Sequence, residues 1–113
     1  MSENYSYDLT VGFTESDRAS GYVSFCDGYR PGADQRLVSL TVRSARTYDG
    51  PEVAEAAFVA TNHPDPDTLG GLAGTIAKAL NGKPVRSLSV GDTVTVNGFT
   101  WACSRRGWQQ VEV

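Results

Sequence analysis

The chain has one histidine, two cysteines and no apolar run near the length of a membrane span. Each shortage removes a class of function. A Ser-His-acid or Cys-His mechanism needs an imidazole to move a proton, and only His63, between Asn62 and Pro64 in a connection, is there to do it. It reads more simply as an exposed or helix-capping side chain. Cys26 and Cys103 fall one in each half and in no Cys-x-x-Cys spacing, too few for a disulfide framework. They are expected as small, partly buried thiols, with a Cys26–Cys103 disulfide left open. A membrane span takes about 20 successive apolar residues, so no membrane partner is expected. Met1–Asn4 lack the basic and apolar regions of a secretory signal, and a cytoplasmic location is the expectation. His63-Pro64-Asp65-Pro66-Asp67 offers oxygen ligands but no glycine for the sharp turn of a calcium loop. Leu69-Gly70-Gly71-Leu72-Ala73-Gly74 lacks the Gly-Lys-Ser/Thr ending of a phosphate-binding loop. Neither a metal nor a cofactor is expected.

What remains is the composition of an ordinary globular protein: 113 residues, 40% hydrophobic and 20% charged, enough for a single domain over 1–113 with its own core. The charge is uneven. Residues 1–77 hold five arginines against eleven acids, whereas 78–113 hold Lys78, Lys83, Arg86, Arg105 and Arg106 against Asp92 and Glu112. The acidic total argues against non-specific binding to a phosphate backbone, although a local basic patch is still open to it.

The clearest local signal is Asn97-Gly98 between two alternating runs. This dipeptide tolerates positive φ at both central positions and favours a two-residue type I′ hairpin. The register that follows pairs Val96 with Phe99 and Val94 with Trp101 on one face, shared with Cys103. Thr95 with Thr100 and Thr93 with Ala102 take the other, the first face being core and the second solvent. Tyr5, Tyr7, Leu9, Val11 and Phe13 alternate with small or polar residues and predict a strand. Tyr22–Cys26 predicts a second strand paired with the first, and Arg36 to Arg43 a third, with Val38, Leu40 and Val42 on one face. Asp49-Gly50-Pro51 starts a helix that runs to about Asn62, where His63-Pro64-Asp65-Pro66 stops it. A second helix is expected from Asp67 as N-cap, with Leu69, Leu72, Ala73, Ile76 and Leu80 on its apolar stripe. Gly70, Gly71 and Gly74 inside it would each cost about 1 kcal/mol, which implies a close approach. With further strands at Leu88–Val90 and Trp108–Val113, the expected fold is α+β: β-β-β-α-α-β-β-β, an antiparallel sheet with two helices packed on one face.

Asp92, just after Gly91 at a strand entry, is expected to cap turn N–H groups. The candidate binding residues are Lys83, Arg86, Arg105, Arg106 and Trp108, cations beside an aromatic that could stack on a base or anchor a protein contact.

Arg86-Ser87-Leu88-Ser89-Val90-Gly91-Asp92, Val94 and Val96, Trp101-Ala102-Cys103 and Gly107-Trp108 together resemble the YodL-like domain and related small proteins of bacterial mobile elements. The likeness spans residues 85–111, about a quarter of the chain. Gly91 stands where those families have Ser, and Arg105 and Arg106 depart from their Tyr-Cys-Asp-Ser-x-Gly-Phe-like ending. No catalytic residue carries over. The resemblance implies a phage or plasmid setting. The expectation is therefore a non-enzymatic accessory protein that binds a host or defence protein, as an anti-defence or host-takeover inhibitor. The alternative is a small nucleic-acid-binding accessory domain using the basic C-terminal hairpin; a small hydrolase dependent on His63 is third. Pairing of two copies at an open sheet edge is a further option.

Overall fold

The computed structural model describes residues 5–17 and 19–111; Met1–Asn4 and residues 112–113, the end of the last expected strand, lie outside them. In chain order the elements are β1 (Tyr5–Thr14), the single helical turn α1 (Ser24–Asp27), β2 (Gln35–Ser44), α2 (Gly50–Asn62), α3 (Gly71–Leu80), β3 (Thr93–Val96), β4 (Phe99–Ser104) and β5 (Gly107–Val111). Among the described residues the strands form a five-stranded antiparallel sheet, ordered β2-β1-β3-β4-β5. The class is α+β.

Alternation decides which face is buried. Tyr7, Leu9, Val11 and Phe13 of β1 share a face with Val38, Leu40 and Val42 of β2 and with Val94 and Val96 of β3. Against that face lie Val53, Ala54, Ala57 and Ala60 of α2 and Leu72, Ile76 and Leu80 of α3, in one core cluster. Each helix entry has its own cause. Asp49 and Glu52 form a reciprocal capping box and Pro51 sits in the first turn of α2. Gly50 faces the Trp101 ring so closely that a side chain there would overlap the indole.

The second helix starts later than the sequence suggests. Pro66–Thr68 form a short 3-10 turn, Gly70 is the cap, and Gly71 (φ +63°) reverses the chain, so Asp67 is not the N-cap. Only Gly74 lies well inside the helix, and there the expected close approach is real: the backbone carbonyl of Leu69 occupies the space of a side chain.

Two expected strands are absent from the sheet. Both edges of β1 are taken, one by all of β2 and the other by β3, so Tyr22–Cys26 does not pair with β1 as a strand. Its backbone instead coils into α1, where the Asp27 carboxylate accepts the Val23 N–H at 2.7 Å and Gly28 (φ +82°) ends the turn. Leu88–Val90 is irregular too. Leu88 is a core plug whose N–H donates to Thr61 Oγ1 and whose carbonyl accepts from Asn62 Nδ2, both at the end of α2.

The Asn97-Gly98 hairpin has the expected register throughout, with φ of +48° and +91° at its two central residues. Its faces are less simple than core against solvent. Thr93, Thr100 and Ala102, on the expected solvent face, are buried: Gln35 donates to Thr93, Tyr29 shares a small cleft with Thr93 and Thr100, and Ala102 shares another with Cys26 to Tyr29. Phe99, on the expected core face, is exposed.

Candidate functional site

Asp92 and Arg86 form the densest polar centre of the fold. The Asp92 side chain has no solvent exposure. Its Oδ1 accepts the Thr14 N–H at 2.9 Å and Arg86 Nη2 at 3.0 Å, and its Oδ2 accepts Arg86 Nη1 at 2.7 Å and the Ser89 N–H at 2.9 Å. The expected turn cap is therefore present, and it extends across the molecule to β1. Arg86 also donates to the carbonyls of Ser87 and Thr14 and lies over the Phe13 ring, 4.9 Å from its centroid. Its guanidinium is committed to the fold.

The five expected binding residues do not form one surface. Lys83 and Arg86 line a cleft of about 500 Å3 with His63, Asp67 and Lys78 where α2 and α3 end. Arg105 and Arg106 line a different cleft, of about 680 Å3, with Cys26, Tyr29 and Val90, and Arg105 Nη2 donates to the Cys26 carbonyl at 3.3 Å. Trp108 stands apart from both. It packs edge-on against Phe58, donates its indole N–H to Glu55 and borders a groove with Asp49 and Glu52. An aromatic flanked by three carboxylates repels a phosphate backbone, so base stacking on Trp108 loses its electrostatic support.

The thiols and the imidazole are also apart. His63 caps the C-terminus of α2, and its Nδ1 accepts the Asp65 N–H at 3.0 Å. Cys26 and Cys103 line the cleft of Arg105 instead, so a Cys-His pair is not assembled. Both cysteines are free; Cys103 is buried as expected, but Cys26 is exposed because α1 turns only Ser24 inward. Burial, with the negative charges of Asp92 and Glu55, pushes the Cys103 thiol up from its ordinary value. The native chain should consume one equivalent of Ellman's reagent quickly at pH 8 and a second only on denaturation. Rapid reaction of both thiols in the folded state would contradict this burial.

One residue the sequence reading passed over matters here. Arg36 pairs with Phe13 in the β1–β2 register and its guanidinium lies 4.9 Å from that ring's centroid, as Arg86 does. A signal existed: Arg36 has the parity of Val38, Leu40 and Val42, so it points to the helix side of β2. Its Nη1 is sealed from solvent and has no hydrogen-bond acceptor among the described residues. Arg36 and Arg86 line a cleft of about 390 Å3 with Ser16, Ser24, Phe25 and Ser89.

No group of three or more His, Cys, Asp or Glu side chains is placed to hold a metal ion among the described residues, and no helix among them is long and apolar enough to cross a membrane. Compared with protein families, curated proteins and solved structures, the chain finds no match in any of the three.

Proposed function

We propose that this chain is a non-enzymatic binding protein that captures another protein by strand addition at β2. The observation that carries the reading is the outer edge of β2. All ten residues, Gln35–Ser44, pair one-to-one with β1 on the inner side, while no strand pairs with the outer side among the described residues. Such an edge presents a row of unpaired N–H and C=O groups, which sheet proteins ordinarily guard with proline, charged side chains or a bulge. β2 has no proline and pairs with β1 without a bulge, its two charges, Arg36 and Arg43, stand near its ends and leave 37–42 without one, and Leu37 is 62% exposed beside the edge on the face away from the helices. A partner strand would gain main-chain hydrogen bonds along β2 and side-chain contacts at Leu37, Ser39 and Thr41. In the mobile-element setting that residues 85–111 suggest, the partner is a host or defence protein and the chain its inhibitor.

The alternative, nucleic acid, is supported only by the cleft where Lys78, Lys83 and Arg86 meet. A pull-down from bacterial lysate with and without nuclease separates the two, run with the native chain and with Leu37→Lys/Thr41→Lys. Both positions are exposed, so the fold should survive. A discrete protein that survives nuclease and is captured at least tenfold less by the double variant is the expected result. Capture unaffected by the two lysines removes the edge from the mechanism, and loss of every partner on nuclease treatment transfers the function to the Lys78–Lys83 cleft. Light scattering shows whether a second copy takes the edge instead.

A further inference from the structure

Two guanidinium groups lie against one phenyl ring, yet only one of them is compensated. Arg86 has the Asp92 carboxylate and two carbonyls. Arg36 has no ion pair among the described residues, and its Nη1 is sealed from solvent with no acceptor among them, while the side chain as a whole is half-buried and lines the cleft. An N–H of a cation held away from water without an acceptor is costly, and a second cation against the same ring raises that cost. The cleft beside them is lined by both polar and aromatic side chains. Ser16, Ser24 and Ser89 line it, the Ser24 and Ser89 hydroxyls donating to the Thr14 carbonyl and to Asp92, and Phe25 is 61% exposed. Glu15 lines the same cleft as an exposed carboxylate.

We infer that this cleft binds a small molecule carrying an oxyanion next to a planar ring, with the oxyanion on Arg36 and the ring against Phe25. The oxyanion supplies the counter-charge that Arg36 lacks, meeting the part of the guanidinium that lines the cleft rather than the sealed Nη1. The ring covers the exposed face of Phe25. At about 390 Å3 the cleft lies in the range of small-ligand sites, large enough for a nucleoside monophosphate or an aryl carboxylate and too small for an oligonucleotide. These are the two sources of the same chemistry. Glu15 sets the limit on affinity, because its charge opposes the ligand's.

The test is titration of the purified full chain with adenosine monophosphate, benzoate, inorganic phosphate and adenosine, followed by amide chemical shifts. The expected result is saturable binding of adenosine monophosphate or of benzoate, whichever is tighter naming the source. Shifts should centre on Ser16, Phe25 and Arg36, and adenosine should bind at least tenfold more weakly than its phosphate. Arg36→Gln should weaken the tighter ligand about ten- to hundredfold, the scale of a lost charge-assisted hydrogen bond, and Phe25→Ala about fivefold or more. Glu15→Gln should strengthen it, and Arg46→Gln, exposed beyond the far end of β2 from Arg36, should leave it unchanged. Melting curves establish that each variant is folded. If Arg36→Gln is not, Arg36→Lys, which keeps the charge and loses the fork, and Phe25→Ala, whose ring is already exposed, carry the test. Absence of saturable binding by both anions, affinity indifferent to Arg36 and Phe25, or shifts centred on Lys78 and Lys83 would overturn the inference.

Discussion

Arg86→Ala is expected to lower stability by about 3–5 kcal/mol, the scale of a buried ion pair that has lost one partner. The asymmetry of the pair sets the size. The Arg86 side chain is 43% exposed whereas that of Asp92 is wholly buried, so the charge left behind by this substitution is the one that cannot reach water. Asp92→Ala should cost somewhat less, about 3 kcal/mol, since Arg86 can be rehydrated; the remaining loss comes from the Thr14 and Ser89 N–H groups stripped of their acceptor. The two losses should not add, because each single substitution already breaks the shared bonds. Arg105→Ala and Arg106→Ala, at exposed positions, should each stay within about 0.5 kcal/mol. Urea unfolding of the four variants and the Arg86→Ala/Asp92→Ala double variant checks the set. An Arg86→Ala loss below about 1 kcal/mol, or strictly additive losses, would show that the pair does not hold β1 to the turn before β3. The contrast also bears on binding assays: activity lost in Arg86→Ala reports a damaged fold unless its stability is measured alongside.

Signals confined to a few consecutive residues were the ones that could be read. The alternation of Tyr5 to Phe13, the Asn97-Gly98 turn and the Asp49-Gly50-Pro51 helix start each act within a strand, a turn or a helix end, and each appears in the fold. Tyr22–Cys26 failed for a long-range reason, since its apolar composition suits a strand but β2 and β3 already occupy both edges of β1. The spatial grouping of the basic residues was not legible for a similar reason. Arg86 and Arg105 are near in sequence, but the β3–β4–β5 meander carries Arg105 toward Cys26 while Asp92 holds Arg86 beside Phe13. Arg36 was legible from its parity alone. What parity could not show is that a second guanidinium, fifty residues away in the chain, meets the same ring.

The segment before β3 offers the sharpest separation of strand from plug. In an alternating edge strand, Leu88 and Val90 would share one face and contribute comparably. In the fold Leu88 is 1% exposed within the core cluster, whereas Val90 is half-buried at the cleft of Arg105. Leu88→Ala should therefore cost about 3–4 kcal/mol, in the upper part of the range for a core leucine. Collapse around the missing side chain is restricted, because the backbone at 88 is tied on both sides to Thr61 and Asn62, and a site that cannot relax keeps its cavity. Val90→Ala should cost less than about 1.5 kcal/mol, since part of its surface is already in water and it lies outside the core cluster. Thr61→Val tests the tether separately: it leaves the Leu88 N–H without its acceptor and should cost about 1–2 kcal/mol. Denaturant midpoints at constant slope decide the order. Equal losses at 88 and 90 would restore the edge strand, while the predicted gap places the weight of this segment on Leu88 and on the end of α2, the end that also shapes the cleft of Lys78 and Lys83.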